Sequence, residues 1–91
     1  MSTAERRVTV CNARGLHARA AAKFVEMVQG YDATVHVTRD GETVNADSIM
    51  ELLMLAASKG SEIEIRSDGS QAEEAIDALT ELVEAGFYET D

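Results

Sequence analysis

The apolar residues of this chain change period repeatedly, from two to 3.6 and back. Residues 6–11 (RRVTVC) alternate, with Val8 and Val10 on one face, and predict a strand. Residues 18–29 place Ala21, Phe24, Val25 and Val28 at i, i+3, i+4 and i+7. That is one apolar stripe of a helix, and Gly30 supplies a stop. Residues 34–38 (TVHVT) alternate again, with Val35 and Val37 inward and His36 outward. Asp40-Gly41 predicts a hairpin into a short strand, ETVN. Ser48 opens a second helix carrying Ile49, Leu52, Leu53 and Ala56 and ending near Gly60; Ser48 and Glu51 fit a capping box. Residues 62–66 (EIEIR) form the fourth strand. Asp68-Gly69-Ser70 turns the chain, and a second capping box, Ser70 with Glu73, starts the last helix. Its stripe is Ala72, Ala75, Ile76, Leu79, Leu82 and Val83, and Gly86 ends it. Residues 87–91 (FYETD) read as a tail.

The order β-α-β-β-α-β-α predicts an α+β domain of two layers. Four alternating strands would form an antiparallel sheet with one covered face, and three amphipathic helices would cover it. Periodicity leaves open a ferredoxin-like βαββαβ fold with an added helix. At 91 residues the chain makes one domain, 1–91, whose core holds only a few layers of side chains. With no Trp, two Phe and two Tyr, that core is aliphatic.

Charge narrows the function. The net charge of −9 argues against nucleic acid, whose phosphates are held by Lys and Arg. Residues 1–40 carry six basic and four acidic side chains, whereas residues 41–91 carry two basic and thirteen acidic. The basic residues therefore gather around His17. No apolar run approaches the ~20 residues of a membrane span, and no signal-peptide pattern opens the chain. Cys11 is the only cysteine, so no internal disulfide forms, and a reducing, cytoplasmic setting is expected. Cys11 reads as a strand residue without chemistry. His17 and His36 are the only histidines and no CxxC is present, so a metal centre lacks ligands.

His17 precedes the first helical stripe, after a glycine turn and between Arg14 and Arg19, with Lys23 one turn further on. A helix N-terminus has unpaired N–H groups and a partial positive charge, which makes it an anion site for groups such as phosphate. Imidazole is a nitrogen nucleophile near neutral pH. A nucleophile beside an anion site suggests a phosphoryl group carried on His17, its oxygens held by the Arg19 fork. The plainer alternative is a polar helix start without chemistry.

The stretch GLHARAAAKF (15–24), followed by VNADSIMELLMLAASKGSEIEI (44–65), resembles the HPr family, the histidine-containing phosphocarriers of the phosphoenolpyruvate-dependent phosphotransferase system. The similarity runs along nearly the whole chain. LLMLAASKGSEIEI and EEAIDALTELVEAGF look closest to the family's nitrogen-related branch, associated with regulation. The resemblance implies an open-faced β-sandwich, with a four-stranded antiparallel sheet and three helices on one side. It implies phosphorylation of His17 through Nδ1, with Arg19 assisting. Ser48 matches a serine that a dedicated kinase modifies in some members. The implied donor is enzyme I and the implied acceptor an enzyme IIA-type protein, with the chain acting as a monomer. No metal or organic cofactor is implied; the phosphate is a covalent passenger. Nucleic acid and membrane are not expected partners.

Two positions depart from the family pattern. Ala20 stands where a proline is usual, which frees φ and restores a donor. Asp47 stands where many members have a basic residue, which sets a negative charge beside Ser48. A good N-cap by itself explains Ser48. Ile49, Met50 and Leu53 crowd one short helix. One or two of them are expected to be exposed near Arg19 and Lys23, as a docking patch for an acidic partner.

Overall fold

The computed structural model describes residues 2–89. β1 spans Ser2–Thr9, α1 Ala18–Gln29, β2 Thr34–Arg39, β3 Glu42–Asn45, α2 Ile49–Met54, β4 Glu62–Gly69 and α3 Ala72–Glu84. The strands lie in the order β1-β4-β2-β3, and every neighbouring pair is antiparallel. β1 and β2 are therefore parallel, with β4 between them, and α1 is their crossover. β3 and β4 are likewise parallel about β2, and α2 connects them. This is the α+β open-faced sandwich, with α3 packed on β1 and β4 and α1 packed on α2 and α3.

The inner face of the sheet is Ala4, Val8, Val35, Val37, Val44, Ile63 and Ile65, all buried. The outer face carries a charged ladder in which Glu5 faces Arg66 and Arg7 faces Glu64. These pairs are solvated, with closest approaches of 3.9 and 3.7 Å, and contribute little to stability. Asp40 and Gly41 have φ of 50° and 81°, the two left-handed residues of a type I′ hairpin turn.

Several features of the fold differ from the pattern in the sequence. β4 runs on past Arg66 to Gly69, because Ser67 is buried beside Ala4 and both Asp68 and Gly69 pair with β1. β1 begins at Ser2 rather than Arg6, because Ala4 also points inward and Ser2 pairs with Gly69. Arg6 lies between Ala4 and Val8 on the same face and interrupts the apolar alternation; its guanidinium reaches Asp77 of α3 at 2.9 Å. α2 ends at Met54, not near Gly60. Leu55 and Ala57 are buried beyond it, Ala56 is exposed with φ of 50°, and Arg39 donates to the Leu55 carbonyl at 3.0 Å. Ser70 does not cap α3. Gln71 is the N-cap, while the Ser70 hydroxyl bonds the Asp32 carboxylate. Gln71 exchanges two further bonds with the Asp32 backbone, at 2.8 and 3.0 Å, so this corner is stitched to the α1–β2 loop.

A further difference concerns the supposed tail. Phe87 is fully buried, and Glu89 folds back against His17. Gly86, Phe87 and Tyr88 are left-handed in succession, with φ of 63°, 56° and 58°. Such a conformation costs a non-glycine residue about 1–2 kcal/mol. Burying the Phe87 ring, worth about 1.5–3 kcal/mol, offsets most of that. Residues 90 and 91 of the expected tail lie outside the described residues.

Candidate functional site

The loop that delivers His17 is built by backbone constraints. Val10 continues from β1 by bonding Ser61 and Gly60, at 2.8 and 2.7 Å. Asn12 then closes a turn on Gly15, its carbonyl accepting from Gly15 N–H at 3.1 Å and its amide donating to the Gly15 carbonyl at 2.8 Å. Gly15 has φ of 66°, and a Cβ there would sit 2.5 Å from the Ala57 carbonyl oxygen. Only glycine fits. Leu16 is buried and donates its N–H to the same Ala57 carbonyl at 2.8 Å. The loop after α2 thus clamps the loop before α1.

His17 is the N-cap of α1, extended at φ −80° and ψ 179°, and its carbonyl accepts the first helical bond from Ala21 at 2.8 Å. Its side chain does not cap the helix, and no acidic residue lies in the first turn. The N–H groups of Ala18, Arg19 and Ala20 have no partner inside the helix, so the positive end of the macrodipole stays open. Arg14 and Arg19 are exposed, and neither has an ion-pair partner among the described residues. The helix is held from its other side, where Ala20, Ala21, Phe24, Val25 and Val28 are buried.

The imidazole is half-buried and engages one partner. Its Nε2 bonds the Glu89 carboxylate, whose other oxygen accepts from the Asn12 amide at 3.0 Å. The bonds from His17 and then from Asn12 hold the Glu89 carboxyl below the usual glutamate range, against the opposing effect of burial. Lys23 was expected on a docking rim. It is half-buried, and its ammonium donates to the Phe87 carbonyl at 2.6 Å, pinning the segment that carries Glu89. The periodicity of the sequence missed Glu89 and Asn12. A phenylalanine directly after a helix-ending glycine was the available signal, since a residue in that place often packs back on the helix.

Ser48 is the N-cap of α2, extended at φ −124° and ψ 118°. The Ser48 hydroxyl accepts from Glu51 N–H at 3.2 Å, although the Glu51 carboxylate accepts from Asn45 N–H rather than from Ser48. Ile49 and Met50 are exposed, at 39% and 72%. Met54 joins them at 65%, while Leu53 packs partly on the core. Cys11 is exposed just past β1, its thiol directed at the Val83 carbonyl. Among the described residues no group of three His, Cys, Asp or Glu is placed to hold a metal, and no helix is long and apolar enough to cross a membrane.

An open helix end, with two guanidiniums and one imidazole nitrogen that have no partner among the described residues, suits a histidine that accepts a phosphoryl group. Residues 4–85 match the PTS-HPr family model, described as the PTS HPr component phosphorylation site. The phosphocarrier protein HPr of Pseudomonas aeruginosa is 46% identical over 90% of this chain and 92% of its own length. The phosphocarrier protein NPr of Escherichia coli is 42% identical over 96% and 98%. The crystal structure of HPr-C-His from Thermoanaerobacter tengcongensis superposes with a TM-score of 0.91 at 38% identity, covering 97% of this chain and 99% of that one. The chain belongs to the HPr family of phosphotransferase-system phosphocarriers.

Proposed function

We propose that His17 is the residue that carries the phosphoryl group, taking it from enzyme I and giving it to an enzyme IIA-type acceptor. The observation that carries this reading is the uncapped N-terminus of α1, with His17 at its mouth and with Arg14 and Arg19, close to it in the chain, exposed and unpaired among the described residues. Phosphoryl transfer needs an in-line nucleophile and neutralised equatorial oxygens. The imidazole supplies the first. The first-turn N–H groups and the Arg19 fork supply the second. No metal or organic cofactor enters the scheme. Exposed Ile49 and Met50 on α2, which packs beside α1, offer apolar contact to the partners.

Ser48 is a structural cap in this reading. Its hydroxyl is engaged by Glu51 N–H, and Asp47 and Glu51 would both repel a phosphate there. A regulatory role draws support from the likeness to NPr, and the acceptor distinguishes it from sugar transport.

The test is incubation with enzyme I and labelled phosphoenolpyruvate. A phosphoramidate on His17 is acid-labile and base-stable, and His17→Ala abolishes it. Acid-stable label persisting in that variant would overturn the assignment.

A further inference from the structure

We infer that Glu89 is a positioning residue for His17: it holds the ring as the Nε2–H tautomer, leaving the Nδ1 lone pair as the nucleophile. The inference rests on the carrier role proposed for His17.

An ionised carboxylate can only accept hydrogen bonds, so the proton between Glu89 and His17 belongs to Nε2. A neutral imidazole has one protonated nitrogen, so Nδ1 is left bare. The carboxylate side chain is only 10% exposed, and it is held in place independently of the ring. Asn12 donates to its second oxygen, Phe87 anchors the chain two residues before it, and Lys23 pins the Phe87 carbonyl. The left-handed run Gly86–Tyr88 is the bend that brings Glu89 back over α1. The low proton affinity of this carboxyl keeps it an acceptor across the neutral range.

In the transfer step, the Nδ1 lone pair forms a bond to phosphorus. The bond from phosphorus to the phosphorylated donor breaks, and its electron pair leaves with the donor. The Nε2 proton stays on the ring, which gains positive charge, and the Glu89 carboxylate faces that charge across the existing bond. A carboxylate plays the same part behind the histidine of a serine-protease triad. Transfer to the acceptor reverses each movement.

The experiment compares the full-length wild type with Glu89→Ala and Glu89→Asp. Ring nitrogen chemical shifts of unphosphorylated His17 are followed through a pH titration, and the tautomer is read on the alkaline plateau, where the ring no longer titrates. Phosphoryl-transfer rates from phosphorylated enzyme I are measured in parallel. The wild type is expected to show protonated Nε2 and bare Nδ1. Glu89→Ala is expected to populate both tautomers and to slow transfer about tenfold. Glu89→Asp is expected to restore the tautomer and most of the rate. Protonated Nδ1 in the wild type would overturn the inference, as would an unchanged tautomer and rate in Glu89→Ala. A slowed rate with an unchanged tautomer would also contradict it, since the effect would then be structural. The nitrogen shifts are read without phosphate, so they remain decisive if the carrier role of His17 fails.

Discussion

The two crossover helices begin in the same way and end up with opposite characters. α1 starts at His17 and α2 at Ser48, and both N-caps are extended, with ψ of 179° and 118°. At α2 the end is closed. The Ser48 hydroxyl takes Glu51 N–H, the Glu51 carboxylate takes Asn45 N–H, and Asn45 Oδ1 takes Asp47 N–H at 3.1 Å. At α1 the cap side chain turns away to Glu89, and arginine stands in the first turn where α2 has a carboxylate. Leaving out a side-chain cap forgoes about 1 kcal/mol. α1 tolerates that because its twelve residues bury a full apolar stripe, whereas six-residue α2 buries only Leu52. A long, well-anchored helix can keep its N-terminus open for an anion, and a short one needs its cap.

The largest effects are expected at the two N-cap residues. His17→Ala is expected to abolish phosphoryl labelling completely while the fold persists, and Ser48→Ala to leave labelling intact; quantitative labelling of both variants checks this. Next in size, Arg19→Lys keeps the charge and loses the two-point fork. Transfer should slow by about ten- to hundredfold, equivalent to about 1.5–3 kcal/mol, in a stopped transfer assay with a purified partner. Ser48→Ala should lower unfolding stability by about 1 kcal/mol in urea titrations, with transfer unchanged. Ala20→Pro should raise stability by about 0.4–1 kcal/mol, because the Ala20 N–H has no intrahelical acceptor to lose. A clear loss in thermal unfolding would show that the first turn depends on that N–H.

The finest effect is in acid. The Glu89 carboxyl titrates lower in the folded chain than in the unfolded one. Its stabilising contribution is therefore full above the ordinary glutamate range and fades as pH falls through the lower, folded value. The stability gap between wild type and Glu89→Ala should accordingly close on acidification, as followed by unfolding at successive pH values.

The open end was legible in the sequence because it is local. The stripe from Ala21 to Val28, the Gly30 stop and the basic residues around His17 lie within one short stretch, and α1 has the bounds that stretch predicts. The Asp40-Gly41 hairpin is local in the same sense. What escaped depends on contacts far apart in the chain. Arg6 sits on an apolar face because Asp77 of α3 waits beyond it. Ser70 gives up its cap for Asp32. Glu89 belongs to the site only because Phe87 finds a place in the core. Each of these choices is made by tertiary packing, which a local periodicity does not carry.

If His17 carries the phosphate as proposed, phosphorus bonds the nitrogen that Glu89 leaves free. Nitrogen-15 and phosphorus-31 spectroscopy of the phosphorylated, ring-labelled protein tests it most directly. Phosphorus is expected to couple to Nδ1 of His17, with Nε2 still protonated. Phosphorus coupled to Nε2, or bound to any other residue, would contradict it.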